Sequence, residues 1–353
     1  MKQKEKTMKR TLRNNLMLMA ALVLTLLPLN SFARTIVDMT GRTVTVPYVI
    51  KKIYGSSPPA TNLIYAVDPG KIAGLNFPIR DREKKFTDPR LFTLPVVGGW
   101  FGQGQTPNME SLLALHPDLV LVWQYKQSVR NEDIERLLAP SNVPVVFVVL
   151  EHLEDYPAVF RFMGRLLGQE KRTEILAKYA EKTLSDMKTL NAAIAEKDRM
   201  TVYYAENDDG LSTECHGSIH AELIPLCGGV NVHRCVERDG YGMDKISMEQ
   251  VLVYDPQVIV THSSRFYTGV FADRKWAGIR AVRDKRVYLI PRTPMNWFDR
   301  PPSFMRLLGA RWLAHNLYPK RYPLNVDEET RHFYSLFLGC ELTGNQCRGI
   351  FKP

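Results

Sequence analysis

Residues 34–353 are predicted to form an α/β protein of two Rossmann-like lobes joined by a single long rigid helix, with a ligand cleft between the lobes. Three observations carry this expectation. First, the segment 108–122 recurs as 247–260, with a Met-Glu pair (Met109-Glu110, Met248-Glu249) and a proline (Pro117, Pro256) aligned without gaps. Each copy opens on an N-cap residue, Asn108 or Ser247, and puts its acid in the first helical turn, where the helix dipole favours negative charge. A short amphipathic helix, a stopping proline and a continuous apolar run then read as helix, turn and buried parallel strand. Second, strand and helix signals alternate on both sides of the chain's middle, the pattern of a mostly parallel sheet. Third, residues 170–199 contain neither glycine nor proline. Ile175, Tyr179, Leu184, Met187 and Leu190 give that span an apolar stripe at helical spacing. As one helix it would run about 40 Å. Two lobes built alike imply a cleft, the usual place for a small ligand.

The chain opens on an export signal. Lys2, Lys4, Lys6, Lys9, Arg10 and Arg13 form a basic region, residues 16–29 an apolar one, and Ser31-Phe32-Ala33 the small residues before a cleavage point. The mature chain is expected to begin at Arg34. The apolar run is too short to span a bilayer comfortably. The first cysteine is Cys215, so no lipid anchor is expected. Six basic residues against Glu5 give the leader about half of the formal charge of +10, leaving about +5 for the mature protein. That mild excess does not indicate a nucleic-acid partner, and it suits a cleft that receives anions.

Residues 35–46 alternate as a strand pair around Thr40-Gly41-Arg42. A strand over 50–54 ends in Gly55-Ser56-Ser57-Pro58-Pro59, followed by a helix over 61–67 and a strand over 72–75. The loop 100–104 offers exposed aromatics and backbone freedom. After the first repeat copy come a helix over 131–138 and a strand over 143–150. The pattern resumes with a strand at 200–205, a helix over 218–226 stopped by Gly228-Gly229, the second repeat copy, a strand over 286–290 and a helix over 302–317. The expected domains are a signal peptide at 1–33, an N-terminal lobe at 34–153, an interlobe helix at 154–199 and a C-terminal lobe at 200–353.

In this order and spacing the chain resembles a class III periplasmic substrate-binding protein of an ABC importer, a family that carries iron–siderophore complexes, haem, cobalamin and related metal chelates. The resemblance rests on Thr40-Gly41-Arg42-Thr43-Val44-Thr45-Val46-Pro47, both repeat copies, Cys227-Gly228-Gly229-Val230-Asn231-Val232, and Trp312-Leu313-Ala314 with Tyr318-Pro319. It covers almost all of the mature chain. It implies a monomeric periplasmic binding protein, not an enzyme, with no intrinsic cofactor and with any metal bound as part of the ligand. The implied partners are the ligand, an inner-membrane permease and its ATPase. A ferric siderophore is the expected cargo by family frequency; a nickel or cobalt complex, haem, cobalamin and a molybdate-type oxyanion are the alternatives. The family grips its permease through one surface glutamate per lobe. Glu222 stands at the second-lobe position, while Asn62 stands at the first, a departure from the symmetrical pair.

In such a fold the ligand meets loops at the lobe-facing ends of strands. The candidates are Tyr54, Trp100, Phe101, Trp123 and Tyr125 from the first lobe, and His216, Tyr241, His262, Arg265, Arg292, Trp297, Phe298 and Arg300 from the second. The aromatics would wall a flat or greasy ligand, and the arginines would neutralise an anionic chelate. The family's siderophore binders often place an arginine just after the first-lobe repeat strand. Here Trp123-Gln124-Tyr125 stand there instead, which points away from a catecholate. His216 and His262 are candidate metal ligands that would complete a chelate rather than build a closed protein site. Five cysteines in an exported chain make an odd set. Nearness in sequence favours Cys227–Cys235 and Cys340–Cys347, leaving Cys215 free, although bridging depends on Cβ geometry. No G-x-S-x-G, H-E-x-x-H or P-loop string is present. An exported metallohydrolase, resting on residues 215–220 with His216 and His220, is the alternative from a different class.

Overall fold

The protein is described here from a computed structural model, which describes residues 33–100, 106–124, 129–236 and 242–352; the signal segment lies outside them. Strands β1 (Ala33–Val37) and β2 (Thr43–Pro47) form an antiparallel pair at the start. Asp38 organises their turn by accepting the backbone N–H groups of Thr40 and Arg42 at 3.0 and 3.1 Å.

Two parallel sheets follow, and they have the same topology. In the first, β3 (Ile53–Gly55), β4 (Leu119–Gln124) and β5 (Val145–Val149) lie in the order β3-β4-β5, and Ile72 bridges Ile53 in parallel on the other side of β3. The second holds β6 (Thr201–Ala205), β8 (Val230–Asn231), β10 (Val258–Thr261) and β11 (Val287–Leu289) in the order β8-β6-β10-β11. In each sheet the first strand is flanked by the second and third, with the fourth outside the third. A two-stranded antiparallel pair, β7 (Ser212–Thr213) with β9 (Asp244–Lys245), stands beside the second sheet's first crossover.

The repeat seen in the sequence is this shared topology. Helix α2 (Met109–Ala114), which follows α1 (Pro58–Val67) in the first half, leads into β4, and helix α5 (Met248–Tyr254) leads into β10. Asn108 accepts the Ser111 N–H at 2.9 Å and Ser247 accepts the Gln250 N–H at 3.2 Å, so both caps are made as expected. Both helices end on a left-handed residue just before the proline, His116 with φ 49° and Asp255 with φ 35°. Proline disfavours right-handed helix in the residue before it, and here the left-handed turn starts the strand at once.

Between β5 and β6 the chain forms a helical hairpin, α3 (Tyr156–Leu167) and α4 (Glu170–Ala192), turned at Gly168. The α-helix of the span 170–199 therefore ends at Ala192, and a short 3-10 turn at Glu196–Asp198 follows. Of the expected stripe, Met187 and Leu190 are buried and Tyr179 and Leu184 pack against the core, whereas Ile175 is exposed; Thr173, Leu176, Ala177, Ala180 and Thr183 complete the buried face. Small residues on that face let α3 approach closely; a Cβ on Gly164 would meet Thr173 Oγ1 at 2.0 Å. Arg172, near the start of α4, donates to the Ala66 carbonyl of the first half at 3.3 Å. Asn191, at its end, donates to the Pro225 and Leu226 carbonyls of the second half at 2.9 and 2.8 Å.

One apolar cluster runs through Ile53, Leu119 and Val148 of the first sheet, Leu176 and Met187 of α4, and Val202, Val258 and Leu313 of the second half. Helix α6 (Met305–Leu317) is almost wholly buried in it. The C-terminal helices α7 (Val326–Phe333) and α8 (Gly344–Ile350) follow. The segment joining them returns to the first half, where the Leu338 carbonyl accepts from Tyr65 at 3.4 Å and Phe86 packs edge-on to Tyr334. Separating the halves would expose this shared core to water, which holds their relative placement. Among the described residues no helix is long and apolar enough to cross a membrane.

Candidate functional site

The C-terminal ends of β6, β10 and β11 converge on one open cavity of about 500 Å³, lined by Asn207, Asp208, His262, Ser263, Ser264, Arg265 and Arg292. This is where an open parallel sheet presents its loops to a ligand. Local rules fix each loop. Asn207 turns the chain after β6 with φ 59°, a left-handed conformation that asparagine tolerates. Ser263 caps the short helix Ser264–Gly269 by accepting the Phe266 N–H at 3.1 Å, and its hydroxyl donates to Asp208 at 2.7 Å. Arg292 is held from β11 by donating to the His262 carbonyl at 2.9 Å.

The cavity is electropositive. Burial, and then the guanidinium groups of Arg82 and Arg80, press the Arg292 pKa below its ordinary value. Arg80 and Arg82 come from the first half, on the four-residue helix Asp81–Lys84 and its N-cap. Both are exposed and each has Glu83 at 3.9 Å, whose charge acts on Arg292 in the opposite sense, so the cations of the cavity lining are Arg265 and Arg292. Arg265 is exposed, with Asp208 at 3.8 Å. His262 is half-buried, and its Nδ1 is 3.0 Å from the Tyr204 hydroxyl. Burial lowers its pKa and favours the neutral imidazole.

A buried ionic network lies beneath. Arg300 Nε donates to Glu206 at 2.6 Å, its Nη2 to Glu214, and Asp299 stands 3.4 Å away. All three carboxylates are fully buried. Asp299 also accepts from Tyr204 at 2.6 Å and has His220 Nδ1 at 2.9 Å. Arg300 is therefore neutralised inside the protein, correcting its expected role as a clamp on an anionic ligand. Acidic groups crowded into one dry space need a fixed cation, and Arg300 is that cation for Glu214 and Asp299, while burial favours the protonated form of Glu206.

The structure brings His262, Arg265 and Arg292 together and disperses the aromatics. Tyr54 is buried, donates to the Gly98 carbonyl at 2.5 Å and packs edge-on to Trp100, itself buried. Trp123 is half-buried with its indole N–H on the Leu150 carbonyl at 2.8 Å. Trp297 and Phe298 are core residues, 0% and 1% exposed, against Phe351 and Tyr204 respectively. Tyr54 and Trp123 fall in strands β3 and β4 and Trp100, Trp297 and Phe298 in loops, and from such positions a large ring can turn inward and fill the core. Phe101, Tyr125 and Tyr241 lie outside the described residues. His216 is exposed, with its backbone N–H on the His233 carbonyl at 3.0 Å, and it does not line the cavity.

Two other expectations are corrected. The disulfide joins Cys215 to Cys235, while Cys227, Cys340 and Cys347 are free. Cys227 ends a helical turn whose apolar side faces α6, so its thiol lies 3.2 Å from the Ala310 carbonyl, within the core. Cys347 is likewise buried, near the Asp327 carbonyl. Glu222 is not a free surface carboxylate: Arg306, the Leu153 N–H at 3.0 Å and His152 at 3.3 Å engage it. Asn62, at the matching first-lobe position, is buried in α1. Asn207, Asp208, Ser263 and Ser264 fall in loops the strand-end rule indicates, without a side-chain signal of their own.

The family model described as periplasmic binding protein matches residues 99–294, more than half of the chain. An ABC transporter solute binding protein from Sulfurospirillum deleyianum is 41% identical in sequence and superposes with a TM-score of 0.84, covering 90% of this chain and 99% of that one. The molybdate-binding protein MolA of Haemophilus influenzae is 26% identical, over 91% of this chain and 95% of its own. A vitamin B12-binding protein of Vibrio cholerae is 24% identical, over 78% of this chain and 92% of its own.

Proposed function

We propose that this chain, which belongs to the periplasmic binding protein family, captures a compact anionic metal chelate in the periplasm and delivers it to an inner-membrane ABC permease and its ATPase. The single observation that carries this reading is the cavity at the C-terminal ends of β6, β10 and β11, where Arg265 and Arg292 stand beside the neutral donors of Asn207, Ser263 and Ser264. Burial disfavours the charge of Arg292, and a bound anion offsets that cost through charge-assisted hydrogen bonds. The polar lining, with Asn207, Ser263 and Ser264, favours an anionic chelate over haem or a corrin, whose flat apolar faces need aromatic walls. A ferric complex is the first cargo to test. The protein acts by binding, without turnover. Export through the leader 1–33 brings it to the compartment, and residues 34–153 and 200–353 act as the two lobes.

A molybdate-type oxyanion is the second reading. Small hydroxyl and amide donors beside arginine suit a compact oxyanion, and the relative MolA is named for molybdate.

The test is calorimetric titration of the mature protein with ferric, nickel and cobalt complexes, haem, cobalamin and molybdate. One-to-one binding of an anionic member is expected. Arg292→Ala should weaken it by about 1.5–3 kcal/mol, the worth of a charged hydrogen bond. Binding of apolar members alone, or full affinity in Arg292→Ala, would overturn the reading.

A further inference from the structure

We propose that His233, Cys235, Asp244 and Cys215 form a redox-gated site for a zinc-class divalent metal, separate from the ligand cavity. The pairing of β7 with β9 sets Thr213 opposite Asp244, which carries Cys215, two residues on, to the same place. The loop after β8 brings His233 and Cys235 against them. The donor atoms of His233, Cys235 and Asp244 all lie within 4.8 Å of one another. Asp244 Oδ2 is 3.2 Å from His233 Nε2 and 3.3 Å from Cys235 Sγ. With metal–nitrogen and metal–oxygen bonds of about 2.0–2.1 Å and metal–sulfur bonds of about 2.3 Å, tetrahedral ligands stand roughly 3.3–3.8 Å apart, the sulfur pair widest. Asp244 thus already stands at nearly ligand spacing from His233 and Cys235, and the two sulfurs reach it once their bond is reduced and they separate.

The imidazole is also oriented for this. His233 Nδ1 is 2.9 Å from the Tyr254 hydroxyl. A proton on Nδ1 donated to Tyr254 leaves the Nε2 lone pair facing Asp244, as metal-bound histidines are commonly held. The His233 backbone is pinned on both sides, to Asn231 at 3.1 Å and to the His216 N–H at 3.0 Å. Two sulfurs, an imidazole and a carboxylate are a donor set for zinc rather than for calcium or magnesium.

Cys235 is bonded to Cys215 in the oxidised chain, and a disulfide sulfur is not a thiolate ligand. Loading therefore requires a dithiol reductant. It gives two electrons and two protons to the sulfur–sulfur bond, leaving two thiols, and becomes a disulfide itself. The metal then displaces the two thiol protons and takes both sulfurs with His233 and Asp244.

The experiment is anaerobic titration of the mature protein with cobalt(II), before and after reduction. One equivalent with thiolate-to-cobalt absorption is expected only in the reduced protein, and one equivalent of zinc should displace it. Cys340→Ala with Cys347→Ala should leave the signal unchanged, and Cys235→Ser should abolish it. Asp244→Asn, a change at an exposed residue that keeps the fold by circular dichroism, should weaken cobalt binding at least tenfold, and Tyr254→Phe roughly tenfold. No thiolate-to-cobalt absorption after reduction, or equal affinity in folded Asp244→Asn, would overturn the proposal.

Discussion

Glu222 Oε1 accepts the backbone N–H of Leu153 at 3.0 Å, so a side chain of the second half caps the turn that begins the crossing from the first. Its other oxygen pairs with Arg306, whose side chain is 2% exposed. The two contacts make Glu222 a tie between the halves. Removing it leaves a buried guanidinium without its counter-charge, which is the costly half of breaking such a pair. Glu222→Ala is expected to lose on the order of 3 kcal/mol of stability, read as a fall in denaturant midpoint. An unchanged midpoint would return Glu222 to the role of a surface residue.

Trp297 has its ring in the shared core against Tyr334 and Phe351. Trp297→Ala should cost about 3–5 kcal/mol through the cavity it leaves. Folded Trp297→Ala should keep its ligand affinity, because the ring is not in the cavity lining. Weakened binding with normal stability in chemical denaturation would place the indole at the ligand instead.

Glu206 carries the pH prediction. Burial first, and then the charge of Asp299, push its pKa up to about 9 from an ordinary 4.5, although Arg300 works the other way. A pKa raised in the folded state means that the folded protein holds the proton more tightly than the unfolded chain. The resulting stability is full below about pH 4.5 and is lost as pH rises through about 9. Melting temperatures of the wild type, compared with Glu206→Gln, should therefore decline across that window. A constant difference between the two would mean that Glu206 is already ionised throughout.

Much of the fold could be read from residue order. Asn108 and Ser247 could be read as caps, and Pro117 and Pro256 as stops, because capping and proline chemistry act over a few residues. The apolar runs after them could be read as buried strands for the same reason. The buried face of α4 could be read only in part, through Tyr179, Leu184, Met187 and Leu190. Ile175 is the more apolar residue but is exposed, whereas Thr173 is buried where Gly164 of α3 approaches it and Thr183 where Arg311 of α6 donates to its hydroxyl at 3.4 Å.

The site shows the same division. His262, Arg265 and Arg292 were legible as strand-end residues of a parallel sheet. Their separation from Arg300, one more arginine in the same stretch, was not, because it depends on Glu206 and Glu214 arriving from some ninety residues away. The pairing of Cys215 with Cys235, rather than of Cys227 with Cys235, also follows from which thiol the core enclosed.

By itself, then, the sequence determined the α/β class, the doubled helix–Pro–strand unit and the set of loops in which a ligand site could be built, all properties of local backbone chemistry. Only the tertiary structure decided which charged and aromatic side chains face the cavity and which are sealed beneath it. That choice rests on desolvation and close packing between segments far apart in the chain, and neither is expressed in any short stretch of residues.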